Sequence, residues 1–243
     1  MSANQNLKAK FDTAFNKLIY SNSVGHVFND FLDILLYNFT LTDEMEFKKN
    51  PINDYKTEDF ISLLNAFGDL SDNGGEGLHD ALGDIFMEYL SFGKNGQYFT
   101  PEPICDMMAK MTGNYENYQT VLDPACGSGR MLLAAAKINR KLVFYGSDID
   151  LTCVKMAVVN LVYNTLEGEI AWMNPLTLEH WCSFKVVKCR FTGLSFVHIL
   201  GPNKTDMILR VKKTLDNNPQ IKAQTEQTIS EKQKVLGTQL SLF

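Results

Sequence analysis

Between Thr120 and Met173 three short apolar, β-branched runs alternate with two stretches of helical period. The runs are Thr120–Leu122, Leu142–Gly146 and Glu169–Met173, and the helical stretches are Arg130–Asn139 and Leu151–Asn164. A helix between two strands brings the chain back to the end from which it started. This alternation, with short connections, therefore predicts a parallel sheet with helices on its faces.

The residues before this region have another character. Apolar positions at helical spacing run through residues 7–40 (Phe11, Phe15, Leu18, Ile19, then Val27, Phe28, Phe31, Leu32, Leu35, Leu36). Asn50-Pro51 interrupts the pattern. A helix is expected over Thr57–Asn65 with Thr57 as N-cap and Glu58 and Asp59 in its first turn. Asn73-Gly74-Gly75 marks a loop, and Leu78–Phe92 is again amphipathic. After the loop KNGQYFTPEP, Thr100-Pro101 is expected to open a helix, with Thr as N-cap. Lys185–Leu200, rich in Val, Phe and Thr, suggests a hairpin, and Met207–Val211 one more strand. The expected organisation is a helical domain over 1–92, an α/β domain over 93–213 and a polar, flexible tail over 214–243.

Composition adds three points. Five widely spaced cysteines with no CxxC pair support neither a zinc site nor a disulfide framework, and reduced thiols in a cytoplasmic protein are expected. No apolar run approaches the roughly eighteen residues of a membrane span. The net charge of −5 hides an asymmetry: residues from Phe184 onward carry ten Lys/Arg against four Asp/Glu, whereas residues 1–183 carry thirteen against twenty-four. Any contact with double-stranded DNA is therefore expected toward the C-terminal end, through Lys185, Lys188, Arg190, Lys204, Arg210, Lys212 and Lys213.

The connection after the first strand, Asp123-Pro124-Ala125-Cys126-Gly127-Ser128-Gly129, joins that strand to a helix. Its glycines permit tight turning and close backbone approach to a ligand. It carries GxG without the later glycine of a dinucleotide fingerprint, and an acid stands where a pyrophosphate would lie. An acid there suits an ammonium group instead. A second acid, Asp148, follows Gly129 by nineteen residues and closes the next strand, at the interval where a carboxylate grips ribose hydroxyls. An ammonium at one acid and a ribose at the other together describe S-adenosylmethionine.

QYFTPEPICDMM, VLDPACGSGRMLLAAA and YGSDID together resemble the N6-adenine DNA methylases, and among them the modification subunits of type I restriction systems. The similarity runs from roughly Leu78 to Leu176. It implies an S-adenosylmethionine-dependent methyltransferase fold, Rossmann-like, preceded by an all-helical domain. It also implies DNA methylation at adenine N6, a specificity partner subunit and a nucleoid-associated bacterial or mobile-element setting. By that resemblance Tyr98, Phe99, Thr100 and Pro101 would cradle the methionine end of the cofactor. Asp123 to Gly129 would line the loop, Asp148 and Ile149 would take the ribose side, and Asn174 would face the adenine amino group.

In that family an Asn/Asp-Pro-Pro-aromatic motif follows the fourth strand, where it binds the target amine and stacks on the flipped base. This sequence has no Pro-Pro pair. Asn174, in MNPLT, and Asn203 are the remaining candidates for the catalytic position, and Asn217-Asn218-Pro219-Gln220 lacks both the second proline and the aromatic. The alternative is a catalytically silent cofactor-binding module. The last five residues, Gln239-Leu240-Ser241-Leu242-Phe243, resemble the pentapeptide that docks bacterial proteins on the sliding clamp, with Gln239, Leu240, Leu242 and Phe243 as anchors.

Overall fold

The computed structural model describes residues 3–41, 50–91, 98–112 and 115–206. Helices α1 (Ala3–Ile19), α2 (Val24–Tyr37), α3 (Thr57–Asp72) and α4 (Ala81–Tyr89) come first, with short 3-10 turns at Pro51–Asp54 and Asn73–Gly75. In α2 the Ser23 hydroxyl accepts the His26 N–H at 3.3 Å, capping a helix whose apolar stripe Val27, Phe28, Phe31, Leu32 and Leu35 is buried.

Helix α3 begins at Thr57, but Lys56 occupies the cap position and makes no side-chain cap bond. It continues past Asn65 through Gly68 to Asp72, because Phe67 and Leu70 bury the face that the glycine would weaken. Asn73, at φ 50°, ends it in the left-handed conformation. Rings from three helices form the centre of this region: Phe31 meets Phe11 at 6.1 Å and Phe67 at 5.2 Å, both edge to face.

Helix α5 (Glu102–Met111) starts one residue later than Thr100-Pro101 suggests, with Pro101 at the cap. The alternation then unfolds as expected: β1 (Thr120–Asp123), α6 (Arg130–Ile138), β2 (Val143–Asp148), α7 (Leu151–Tyr163) and β3 (Glu167–Asn174). These three strands pair in parallel, with Asp123 opposite Gly146 and Asp148 opposite Trp172.

The sheet as a whole is mixed. β4 (Glu179–Lys188) runs antiparallel to β3, and β5 (Ser195–Leu200) antiparallel to β4. Only a tight turn joins β3 to β4. Its bonds from Leu176 N–H and Thr177 N–H to Asn174 Oδ1 (3.0 and 3.2 Å) and the left-handed Leu178 reverse the chain. A parallel neighbour would need a crossover of a dozen or more residues. The hairpin expected over Lys185–Leu200 is thus present and begins earlier, at Glu179.

Strand order follows chain order, β1-β2-β3-β4-β5, so β1 is an edge strand among the described residues. One apolar cluster runs from α1–α4 through α7 to the inner face of the sheet. Tyr163 of α7 packs edge to face on Phe39 (5.9 Å) and Phe67 (5.5 Å), and Lys155 pairs with Asp33 of α2. No helix among the described residues is long and apolar enough to cross a membrane. Residues 207–211, expected as a strand, and the tail 214–243 lie outside the described residues.

Candidate functional site

The loop after β1 is fastened to the end of β2. Cys126 N–H donates to Ser147 O (2.9 Å), Ser147 Oγ to Pro124 O (2.9 Å), and Gly127 N–H to Asp148 Oδ2 (2.9 Å). The other oxygen of Asp148 accepts Asp150 N–H at 2.9 Å. Asp148 thus orders both strand ends while keeping lone pairs for a further donor. Gly127 (φ 53°) and Gly129 (φ 85°) adopt left-handed backbone, and Gly129 N–H closes the turn on Cys126 O at 2.8 Å.

Asp123 stands at the carboxyl end of β1 with Oδ1 accepting Ala125 N–H at 3.1 Å. Burial holds its carboxyl above the usual range, and the nearby Asp148 adds to this. A carboxylate so placed is stabilised by an arriving cation. Cys126 is a packing group: burial pushes its thiol well up, and its Sγ lies 3.0 Å from where a Cβ on Gly146 would stand. In this state it is a poor nucleophile.

Of Tyr98, Phe99, Thr100 and Pro101, Phe99 is the one brought against the loop. A Cβ on Gly127 would lie 2.9 Å from its ring, which stacks on Phe86 of α4 at 5.4 Å with an interplanar angle of 25°. Thr100 reaches the loop through its carbonyl, which accepts Arg130 Nη1 at 3.4 Å. Tyr98 is exposed, and Pro101 caps α5.

Ile149 is exposed, and its carbonyl accepts Trp172 Nε1–H at 3.0 Å. Trp172 in turn lies against Trp181, ring centroids 4.8 Å apart. This indole pair was not singled out in the sequence; two tryptophans nine residues apart become neighbours only through the β3–β4 reversal.

Asn174 comes to the carboxyl end of the parallel strands with Asp123 and Asp148, but its Oδ1 is engaged by the β3–β4 turn. Asn203, at φ 61°, donates its backbone N–H to His180 Nδ1 at 2.9 Å, which sets it at the same end of the sheet, beside β4.

Among the described residues, the predicted basic contacts Lys185, Lys188, Arg190 and Lys204 do not form one patch around the loop. β4 runs antiparallel, so Lys188, whose N–H bonds Glu167 Oε1 at 3.3 Å, and Arg190 in the next turn lie at the amino end of the parallel strands. Lys185 is paired across from His198 within the sheet, and Lys204 follows β5. Arg210, Lys212, Lys213 and the terminal Gln239, Leu240, Leu242 and Phe243 lie outside the described residues.

Residues 77–189 match the family model described as N-6 DNA Methylase. The methylase subunit of the type I restriction enzyme MpnII from Mycoplasma pneumoniae is 28% identical over 142 residues, covering 52% of this chain and 26% of that protein. The MjaIX methylase subunit from Methanocaldococcus jannaschii is 25% identical over 173 residues, covering 64% and 30%. A solved methyltransferase subunit of a type I restriction-modification system from Streptococcus thermophilus matches at 17% identity and a TM-score of 0.34, over 66% of this chain and 36% of that one. The chain spans less than a third of the length of the two curated relatives described. Over the span that holds α4, the glycine loop, both strand-end acids and β3, this chain matches the N-6 DNA Methylase family model and is similar to the methylase subunits of type I restriction enzymes.

Proposed function

We propose that the chain binds S-adenosylmethionine at the β1–α6 loop and is an adenine-N6 DNA methyltransferase-like protein. The observation that carries this reading is the pair of strand-end carboxylates. Asp148 bridges Gly127 N–H and Asp150 N–H, while Asp123, raised by burial, faces the same end of the sheet. In this reading Asp123 receives the ammonium, Asp148 the ribose hydroxyls, and Phe99 supports the turn from beneath. The Ile149–Trp172 contact then fixes the rim where the base would lie. The bound cofactor would supply a sulfonium methyl group. Double-stranded DNA and a specificity subunit are the partners this reading implies.

A second reading is favoured by two observations: the sequence has no Pro-Pro pair, and Asn174 Oδ1 is committed to a turn. In that case the chain binds cofactor without transferring methyl groups and serves as an accessory module. Calorimetry with S-adenosylmethionine tests what both share, and loss of binding in Asp148→Ala is expected. Transfer of tritiated methyl to adenine-rich duplex DNA, abolished by Asp123→Ala, selects the active form. Binding without transfer selects the silent one. Docking of the terminal pentapeptide on a sliding clamp rests on sequence alone, and deletion of residues 239–243 should abolish a clamp pull-down without changing the melting temperature.

A further inference from the structure

The carboxylate of Asp80 is fully buried and accepts four donors from three parts of the fold. Gly83 N–H (2.9 Å) and Asn160 Nδ2 (2.8 Å) reach Oδ1; Arg130 Nε (2.8 Å) and the Ser128 hydroxyl reach Oδ2. Gly83 belongs to α4, Ser128 and Arg130 to the end of the glycine loop, and Asn160 to α7. Asn160 also donates to Ser128 O at 2.8 Å, so Ser128 is held through its side chain by Asp80 and through its backbone by Asn160. There is no slack in this arrangement, since a Cβ on Gly83 would stand 2.0 Å from Asp80 Oδ2.

We propose that Asp80 is a positioning residue of the cofactor site, setting the height of the Gly127–Gly129 turn above Phe99 through Ser128 and Arg130. The proposal rests on the reading of that loop as the cofactor site. Two of the four donors sit immediately beside or after Gly129, so a shift of the carboxylate is passed to the turn whose Gly127 N–H meets Asp148. Arg130 carries the effect outward. Its Nη2 bonds Asp84 Oδ1 at 2.6 Å and its Nη1 bonds Thr100 O, which joins α4, α5 and the loop. The helices ahead of the sheet are therefore part of the site's frame. Conversion of Asp80 to Asn replaces one acceptor by a donor against Arg130 or Asn160 and removes the charge that balances Arg130 from the buried side.

The test compares the full chain with Asp80→Asn, Ser128→Ala and a control, Asp12→Asn. Asp12 accepts from Tyr89 Oη at 2.9 Å and pairs with Lys8, with no partner in the loop. Two quantities are read: hydrogen exchange of residues 121–133 without ligand, and S-adenosylmethionine affinity by calorimetry. Asp80→Asn should speed exchange in that segment and weaken binding about tenfold or more, as loss of supporting contacts around a binding shell does. Ser128→Ala, the variant to read if Asp80→Asn does not fold, should do both to a smaller degree. Asp12→Asn should lower the melting temperature while leaving both quantities unchanged. Unaltered loop exchange and unaltered affinity in a folded Asp80→Asn or Ser128→Ala protein would overturn the proposal. If the unmodified protein does not bind S-adenosylmethionine, the functional reading fails, and the exchange arm still decides whether Asp80 positions the loop.

Discussion

Substituting Gly127 by Ala tests the contact between the loop and Phe99. Two costs are distinguishable. The first is conformational: a Cβ-bearing residue at φ 53° pays the left-handed penalty of about 1–2 kcal/mol. The second is contact: the new methyl would stand 2.9 Å from Phe99 Cε1 and 3.0 Å from Cδ1. The ring cannot retreat freely because Phe86 stacks behind it at 5.4 Å. Moving the loop instead stretches the 2.9 Å bond from Gly127 N–H to the Asp148 carboxylate, of a class that contributes about 1.5–3 kcal/mol.

Gly193→Ala is the internal reference. It has φ 72° and nothing within 4 Å of its added Cβ, so only the conformational cost applies. The excess of Gly127→Ala over Gly193→Ala should be about 1–3 kcal/mol, a further drop in melting temperature of roughly 2–12 °C at the 2–4 °C per kcal/mol typical of chains this size. Both variants are read by thermal unfolding, and Phe99→Leu added to Gly127→Ala should recover part of the excess. Equal losses at the two glycines would refute the close approach of Phe99 to the loop.

Gly168→Ala should yield no soluble folded protein in an expression and circular-dichroism test, because its Cβ would lie 2.0 Å from the backbone oxygen of Phe144, where β2 and β3 pair. Asn174→Ala should cost about 1 kcal/mol in urea unfolding through loss of the β3–β4 turn bonds, while Asn174→Asp, which accepts the same bonds, should cost less. The hydrogen bond between His79 and Glu102 raises the His79 pKa and lowers that of Glu102 to about 2. The raised His contributes fully below its unfolded value of about 6.5 and fades as pH rises through its folded value. The depressed Glu contributes above about 4.5 and fades as pH falls toward 2. His79→Gln should therefore remove about 1 kcal/mol of stability, most of it between pH 4.5 and 6.5, measured as unfolding free energy against pH. Because burial raises Asp123, S-adenosylmethionine affinity should fall on acidification from above the ordinary carboxylate range, and Asp123→Asn should abolish that slope in calorimetry.

The strands and helices from Thr120 to Asn174 are legible because their periods are local: each element repeats its own pattern whatever it packs against. The spacing of Asp148 from Gly129 is legible for a related reason, since one helix and one strand fix it. Cap residues are less so. Thr57 and Thr100 look like N-caps, yet Lys56 and Pro101 hold those positions, because the cap is decided by backbone dihedrals that a hydroxyl does not dictate. The antiparallel course of β4 follows from the short connection after Asn174. Asp80 is the clearest case of a residue hidden from sequence. Three of its four donors lie 48, 50 and 80 positions away, and nothing near LHDALGD marks it as anything but a helix cap.

The same separations bear on how the chain acquires its structure during synthesis. The five described strands join the sheet in the order in which they are made, so none of them must be inserted later between two already paired. The opening helices have no such independence. The carboxylate at the head of α4 leaves the ribosome early but must stay in water until Asn160 has been made, since burying it earlier would strand a charge without its donors. The head of α4, made before any strand of the sheet, therefore locks only once the helix that follows the second strand is in place.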